Sequence, residues 1–357
     1  MIFSQLTNLP IIFQVDEDIY DKVDELLKRN KLQFHKILVV SGKSVSKKYA
    51  SRIADLYKWK HTILFDNTFL EIEKLKKKCI DEGYDLLVAV GGGKILDSVK
   101  RVSYLININH VSIPTIISND GLISPISVIK NETGKTESIP GMMPMGVIID
   151  LTIIKNSPKD YLRAAAGDIL SNLSSTNDWI LARNKGRDYI NDIAFHLSKS
   201  AANSLVNFNK KEFNYKPFLR QIIQGQVNSG IAMSLAGSSR PCSGSEHLLS
   251  HAIDYLDLSK NVLHGIQVAS ISLFILYLQK KLLKEHLDYA VKTEIPLIFT
   301  ELILNCDDDI LKKIFKKSKE MRPGRYTVLD IISEDDFVEK YNEYKQKTVV
   351  YLLNRKW

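Results

Sequence analysis

The sequence is poor in cysteine and has no long apolar run, and each absence excludes a class of protein. Its three cysteines, Cys79, Cys242 and Cys306, are widely separated and form no CxxC pair, so neither a disulfide framework nor a zinc ribbon is expected. The longest apolar run, Val268–Leu278, is shorter than the roughly 18 residues that suggest a membrane span. The first residues, Met1–Thr7, lack a basic flank followed by an apolar stretch, so we expect no signal peptide and a cytoplasmic location.

Positive charge is in moderate excess, with a net charge of +8 among 357 residues. Lysines occur in short groups, such as Lys76–Lys78 and Lys316–Lys317, mixed with acidic and apolar residues at helical spacing. Nucleic-acid binding is one interpretation of such groups. Solvated helix faces are the favoured interpretation, because no aromatic residues are interleaved with the lysines, and we expect neither a nucleic-acid nor a membrane partner. A positive surface also attracts phosphorylated small molecules over long distances.

The first 150 residues alternate between strand and helix patterns, which predicts a parallel sheet covered by helices. The predicted strands are short and largely apolar: Lys36–Ser41, His61–Phe65, Asp85–Val90, His110–Pro114, Ile126–Ile129 and Met145–Asp150. Helical periodicity separates several of them, most clearly over Phe69–Glu82.

Strand patterns stop after Leu151, and helical periodicity continues from there toward the C-terminus. The predicted helical runs are Leu162–Arg183, Ile190–Asn207, Lys216–Ala236 and Gly265–Lys281. Ser157 and Pro158 interrupt the pattern near the change. We therefore predict a Rossmann-like α/β domain over residues 1–155 and an all-helical domain over residues 156–357, in line with the usual size of domains.

A run of three glycines follows a strongly apolar predicted strand. Residues 91–94, with the sequence GGGK, connect Asp85–Val90 to a helix pattern. Glycines let a pyrophosphate approach the backbone, and the helix N-terminus that follows offers free N–H groups to it. The run matches neither standard nucleotide fingerprint, and a tight turn is the alternative interpretation. A second loop, Pro114–Gly121, brings hydroxyls and a carboxylate to the same predicted edge of the sheet, which favours ligand binding there.

Three segments of the helical half carry side chains that can bind a metal. Asp168 lies in one helical run, and His264 begins or precedes another. His247 and His251 are four residues apart and so share one helix face. One carboxylate with two imidazoles suits zinc or ferrous iron with positions left open for substrate, and such a metal polarises an alcohol oxygen. A pair of histidines on a helix surface is the alternative interpretation.

Five segments together resemble a known superfamily. They are VAVGGGKILDSVK (88–100), SIPTIISNDGLISP (112–125), GDILSNLSSTNDWILA (167–182), RPCSGSEHLLSHAID (240–254) and LHGIQV (263–268). Their order and spacing are similar to those of the iron-containing alcohol dehydrogenase, glycerol dehydrogenase and dehydroquinate synthase superfamily, and within it to the glycerol-1-phosphate dehydrogenases. The resemblance implies a dehydroquinate synthase-like fold, in which an α/β domain is followed by a helical domain.

The resemblance also implies roles for particular residues. The implied metal ligands are Asp168, His247 and His264. The implied substrate contacts and catalytic residues are Asp120, His251 and again Asp168. The implied cofactor-binding positions are Gly91, Gly92, Gly93, Lys94, Asp97, Thr115, Ser118 and Ser124. The family often has histidine where this chain has Asn119.

Gly42 bears on the choice of cofactor. Many relatives carry an aspartate just after the equivalent strand, where a carboxylate holds the ribose 2′-hydroxyl and repels a 2′-phosphate. Here the segment is Ser41-Gly42-Lys43-Ser44, which lacks the negative charge and supplies donors for a phosphate. We therefore predict that NADPH is used at least as well as NADH. A simple turn with NADH still preferred is the alternative interpretation.

The implied activity is the reversible reduction of dihydroxyacetone phosphate to sn-glycerol 1-phosphate by a metal-dependent, NAD(P)-linked dehydrogenase. Zinc is the expected metal and iron the alternative, and a homo-oligomer is expected. Three other functions remain open at this point. They are oxidation of unphosphorylated glycerol or another polyol, a sugar-phosphate cyclase reaction of the dehydroquinate synthase type, and non-catalytic binding of a metal or nucleotide.

Overall fold

The computed structural model describes residues 9–132 and 134–354. The chain divides into two compact units between Pro158 and Lys159, while the domain boundary predicted at residues 155–156 stays a prediction. Met1–Thr7, in which no signal peptide is expected, lies outside the described residues. Among the helices that are described, none is long and apolar enough to cross a membrane.

The N-terminal unit is built on a parallel sheet of six strands. In chain order the strands of this unit are β1 (Ile12–Asp16), β2 (Ile37–Gly42), β3 (Lys60–Leu64), β4 (Leu86–Gly91), β5 (Asn109–Pro114), β6 (Ile126–Lys130), β7 (Thr136–Pro140) and β8 (Gly146–Asp150). The sheet has the order β1-β8-β5-β4-β2-β3, and all its pairs are parallel. The predicted parallel α/β architecture is therefore confirmed.

Helices alternate with these strands along the chain. They are α1 (Val23–Arg29), α2 (Val45–Tyr57), α3 (Phe69–Glu82), α4 (Gly93–Ile106) and α5 (Leu151–Lys155). The central strands β2 and β4 are almost entirely buried, as expected for strands of a parallel sheet that is covered on both faces. The apolar runs in the sequence mark these two strands for that reason.

The predicted strand at Ile126–Ile129 lies outside the main sheet. It forms β6, which pairs with β7 in an antiparallel, two-stranded sheet, with Ile126 opposite Pro140. The strand β7 gave no signal in the sequence because it is mostly polar and exposed. The edge strand β1 was also not predicted, and it too has mixed rather than continuous burial.

The C-terminal unit is helical. Its helices are α6 (Lys159–Leu170), α7 (Asn172–Asn184), α8 (Asp192–Val206), α9 (Lys216–Ala236), α10 (Ser245–Tyr255), α11 (His264–Leu278), α12 (Lys284–Lys292), α13 (Asp308–Glu320) and α14 (Glu334–Asn354). In the described part of this unit, the β pairing is limited to one isolated bridge between Ser259 and Ile303. The predicted all-helical character is confirmed.

The single helical run predicted at Leu162–Arg183 is two helices. The break is at Ser171, whose hydroxyl donates to the backbone carbonyl of Asp168 at 2.6 Å. Such local bonds from serine compete with the regular hydrogen bonding of a helix. The second helix, α7, buries mainly polar side chains, among them Asn172, Ser174 and Asp178. Apolar periodicity therefore could not place its ends.

Candidate functional site

The C-terminal unit brings three of the predicted residues together. Asp168 on α6, His247 on α10 and His264 at the start of α11 form a cluster in which one ligand atom from each lies within 4.8 Å of the others. The Nε2 atom of His247 is 3.9 Å from Oδ1 of Asp168. One carboxylate and two imidazoles are a suitable donor set for a divalent metal with open coordination positions. These residues therefore fit the metal that the sequence predicts.

Two glycines allow the helices that carry two of these ligands to approach closely. Gly167 precedes Asp168 on α6, and Gly265 follows His264 on α11. A Cβ atom at Gly167 would overlap the backbone carbonyl of Gly265, and a Cβ at Gly265 would overlap that of Ala164. Any larger side chain at either position would push the helices apart. The spacing of Asp168 and His264 thus follows from the two glycines beside them.

Neighbouring side chains orient the two histidine rings. Nδ1 of His247 lies 3.0 Å from Oε1 of the buried Glu246, so Nδ1 carries the donated proton and Nε2 keeps its lone pair. Glu246 is held in turn by the N–H of Gly244 and the hydroxyl of Ser174. The hydroxyl of Ser250 is 3.3 Å from Nδ1 of His264. Such outer partners fix the tautomer and the ring orientation of metal-binding histidines.

Burial sets the charge of the histidines. It lowers the pKa of His247 and of His251 well below the ordinary value, and the charges of Arg322 and Arg325 lower both further. Burial also lowers the pKa of His264. The imidazoles are therefore neutral near neutral pH, as a metal ligand must be. His251 lies on the same helix as His247, and its ring stacks on His264 with the centroids 5.7 Å apart.

The glycine loop of the N-terminal unit divides into packing and open positions. A Cβ at Gly91 would press on Ile95, and one at Gly92 would press on Ile116, whereas a Cβ at Gly93 would meet nothing within 4 Å. Gly93 and Lys94 open α4, where backbone N–H groups precede the first helical acceptor. The open backbone at this helix start fits the pyrophosphate of a nucleotide cofactor.

The second predicted loop is fixed by Lys100 of α4, which is fully buried. Its ammonium group donates to the backbone carbonyls of Gly121 at 2.7 Å and Ser124 at 3.4 Å, and also to that of Ile126. It forms an ion pair of 2.7 Å with Asp97. Buried charges persist only when such partners satisfy them. Lys100 therefore anchors the loop to the helix that follows the glycines.

The remaining predicted residues of this unit lie along the same two loops. Thr115 is buried, and its N–H donates to the carbonyl of Gly91 at 3.0 Å. Ser118 is partly exposed. Asp120 begins a short 3-10 turn that the side chain of Asn119 caps. Burial raises the pKa of Asp120 to about 6, although the charge of Lys100 opposes the shift.

Comparison with known proteins agrees with this arrangement. Residues 14–158 match a family model described as iron-containing alcohol dehydrogenase. A glycerol-1-phosphate dehydrogenase (NAD(P)+) of Thermococcus sibiricus is 32% identical over 92% of this chain and 94% of its own length. That of Pyrococcus horikoshii is 34% identical over 88% of this chain and 90% of its own length.

The chain belongs to the glycerol-1-phosphate dehydrogenase family. Solved structures support the fold of this family member. A probable glycerol dehydrogenase from Sinorhizobium meliloti has a TM-score of 0.78 at 21% identity and covers 97% of this chain and 99% of its own. A glycerol dehydrogenase from Schizosaccharomyces pombe has a TM-score of 0.78 at 18% identity and covers 99% of this chain and 93% of its own.

The sequence patterns did not identify several residues that position the site of this glycerol-1-phosphate dehydrogenase family member. Glu246 stands next to His247, so adjacency to a predicted ligand was an available signal. Lys100 follows Asp97 by one helical turn, a spacing typical of an ion pair, but its complete burial was not foreseeable. Arg325 has no sequence signal, because it lies in an irregular segment 78 residues after His247.

Glu246→Gln should weaken metal binding by about 10- to 100-fold, the usual effect of changing a partner of a metal-binding histidine. The amide still accepts a hydrogen bond from His247, but the negative charge is lost. Metal affinity measured by competition with a chelator checks this. Glu285→Gln is a matched control, because Glu285 also precedes a histidine in the first turn of a helix but is exposed. Equal metal affinity in the wild type and Glu246→Gln would contradict the role of Glu246.

Proposed function

We propose that this protein reduces dihydroxyacetone phosphate to sn-glycerol 1-phosphate, reversibly, with NAD(P)H and a divalent metal. The main support for this proposal is the cluster of Asp168, His247 and His264, in a chain that belongs to the glycerol-1-phosphate dehydrogenase family. The relatives from Thermococcus sibiricus and Pyrococcus horikoshii are named glycerol-1-phosphate dehydrogenases. The open glycine loop at Gly93 supports a nucleotide cofactor.

Asp168, His247 and His264 would hold the metal, and Glu246 would keep Nε2 of His247 directed to it. When bound, the metal polarises the carbonyl oxygen and the reduced nicotinamide supplies a hydride. His251 is partly buried, and its lowered pKa keeps it neutral, so it has one donor and one acceptor nitrogen. We propose that His251 hydrogen-bonds the substrate oxygen and passes the proton that the alcohol needs.

In the N-terminal unit, we propose that the cofactor lies on the glycine loop. The backbone N–H groups at Gly93 and Lys94 would bind its pyrophosphate. Thr115, Ser118 and Ser124 lie between β5 and β6 and are also proposed to contact the cofactor, and Lys100 holds the carbonyl of Ser124. Asp97 contributes through its ion pair with Lys100. Asp120, on the same loop, is proposed to contact the substrate.

The metal is proposed to be zinc, with iron as the alternative, because a carboxylate with two imidazoles suits both ions. Elemental analysis of protein purified without added metal separates them. Activity after loading the metal-free protein with each ion tests which one supports turnover. Full activity in the metal-free protein would contradict any metal role.

The substrate is tested by comparing dihydroxyacetone phosphate with dihydroxyacetone. Each charge-assisted hydrogen bond to a phosphate contributes about 1.5–3 kcal/mol, so two give at least about a 100-fold preference in kcat/KM. Oxidation of NAD(P)H, followed at saturating metal, measures it. Equal kcat/KM for the two substrates would favour a glycerol dehydrogenase instead. Turnover of a sugar phosphate without net change in NAD(P)H would favour a cyclase.

Gly42 is proposed to let the enzyme use NADPH at least as well as NADH. Gly42 ends β2, and its N–H donates to the hydroxyl of Ser46 at 3.1 Å. Ser41 is buried and bonded to His61 at 2.8 Å, so it is not a donor to a phosphate as the sequence suggested. Lys43 and Ser44 are exposed and remain as donors.

Gly42→Asp should shift the preference toward NADH by about 5- to 150-fold, equivalent to about 1–3 kcal/mol. Gly42 does not have a positive φ, so its backbone conformation suits an aspartate. A Cβ there would lie 3.3 Å from the hydroxyl of Ser46, a tight contact that a small shift of this side chain has to relieve. Gly42→Asn is the control that adds bulk without charge. The ratio of kcat/KM for NADPH and NADH is measured in all three proteins. A wild-type ratio more than about tenfold in favour of NADH would show that Gly42 does not decide the preference.

A further inference from the structure

Two arginines of the C-terminal unit converge on one hydroxyl group. Arg322 and Arg325 both donate to Oγ of Ser239, Arg325 at 3.0 Å. Arg325 also donates to the backbone carbonyl of Ser243. Within the part of the chain that the structure describes, neither guanidinium forms an ion pair with a carboxylate. Two positive charges thus meet at neutral oxygen atoms.

A third arginine nearby, Arg240, differs from Arg322 and Arg325 because a carboxylate neutralises its charge. Arg240 pairs with Asp188 at 2.5 Å and donates to the carbonyl of Tyr326. Burial and the charges of Arg322 and Arg240 together lower the pKa of Arg325 to about 9, although the charges of Glu246 and Asp188 oppose the shift. Burial likewise lowers the pKa of Arg322. Like charges held close together with little water are unfavourable, and a bound dianion would relieve them.

The arginines lie close to the histidine cluster. The residue that accepts from Arg325, Ser243, is four residues before His247 along the chain. The segment that follows Ser243 also reaches the cluster, because the N–H of Gly244 donates to Oε1 of Glu246, and this oxygen lies 3.0 Å from Nδ1 of His247. The hydroxyl of Ser243 is buried and has no hydrogen-bond partner among the described residues. An unsatisfied buried hydroxyl on the residue that Arg325 contacts is a further donor for an anion.

We propose that Arg322 and Arg325, with the hydroxyls of Ser239 and Ser243, bind the phosphate group of the substrate, an inference that rests on the proposed function. A single methylene group separates the carbonyl carbon of a triose phosphate from its ester oxygen, so the phosphate lies near the metal site. Each guanidinium has five N–H donors. Among the described residues, Arg322 donates one hydrogen bond and Arg325 donates two. Forked, charge-assisted bonds to phosphate oxygens are the strongest use of such donors.

The test compares Arg322→Met, Arg325→Met and the double variant with the wild type, all loaded with metal. Each single variant should lower kcat/KM for dihydroxyacetone phosphate by about 10- to 100-fold, the effect of one charged hydrogen bond. The value for dihydroxyacetone should change less than about threefold. Arg183→Met is the matched control, because Arg183 is an exposed arginine of the same unit. The inhibition constant of inorganic phosphate against dihydroxyacetone phosphate should rise in parallel in the arginine variants.

Bound metal and the thermal midpoint are measured in every variant. If a methionine variant loses metal or thermal stability, Arg322→Lys or Arg325→Lys is used in its place. The lysine variants keep the positive charge but lose the forked guanidinium, so they should lose part of the preference for dihydroxyacetone phosphate. The arginine assignment alone is overturned if the wild type prefers the phosphorylated substrate and the variants keep both that preference and the same inhibition by phosphate. A wild type without the preference overturns the proposed function. In that case, loss of inorganic phosphate binding in the double variant still supports an anion site at these arginines.

Discussion

Replacing His247 with alanine should remove the metal and lower kcat/KM by at least about 1,000-fold. The polarisation of an oxygen by a bound metal is worth several kcal/mol, and about 4 kcal/mol corresponds to a factor of about 1,000. The substitution leaves Asp168 and His264 as a two-residue site. It also leaves the buried carboxylate of Glu246 without the ring N–H that it accepts. Metal content per chain and steady-state kinetics measure the two effects.

Two control substitutions make this result specific. His251→Ala should retain the metal, because His251 is not in the cluster. It should lower turnover by about 100- to 10,000-fold, the usual contribution of a group that transfers a proton. His196→Ala, an exposed histidine on α8, should change neither quantity. If His247→Ala protein kept its metal and its activity, the ligand assignment would be wrong.

Replacing Lys100 with methionine should lower the thermal midpoint by about 6–20 °C. Removing one partner of a buried ion pair costs about 3–5 kcal/mol, and about 1 kcal/mol shifts the midpoint of a unit of this size by about 2–4 °C. The variant leaves Asp97 and the carbonyls of Gly121, Ser124 and Ile126 without their donor. Affinity for NAD(P)H should fall as well, because the loop is no longer anchored.

A second substitution and a control separate the causes. Lys94→Met, at an exposed lysine of the same helix that lies 3.6 Å from Asp66, should cost no more than about 1 kcal/mol. Adding Asp97→Asn to Lys100→Met should recover part of the loss, because the unpaired buried charge is removed. If the double variant is as unstable as the sum of the two single variants, the ion pair is not the reason for the effect.

The sequence predicted the parts of the fold that continuous apolar runs or helical periodicity determine. The strands β2 and β4 and the helix Lys216–Ala236 gave clear patterns because their burial is regular. The mostly polar strand β7 and the polar interior of α7 gave none. Their positions depend on tertiary hydrogen bonds, which no local pattern records.

The candidate site divides in the same way. Asp168, His247, His251 and His264 were predicted because metal-binding side chains and the resemblance both singled them out. The residues that position them were not. The role of Ser250 depends on helix packing, and the pairing of Arg322 with Ser239 joins residues 83 apart in the chain. Distances of that kind follow from the folded structure alone.

The contact between α6 and α11 affects how the metal preference of this protein could be engineered. Gly167 and Gly265 are not members of the proposed metal cluster. They nevertheless determine how far apart the two proposed ligands Asp168 and His264 lie, since a side chain at either glycine would collide with the facing backbone. Ions of different radius need different ligand spacings. Selection for a new metal should therefore randomise this helix crossing together with the ligands. A library confined to the coordinating residues would leave the distance between α6 and α11, and with it the ligand spacing, unchanged.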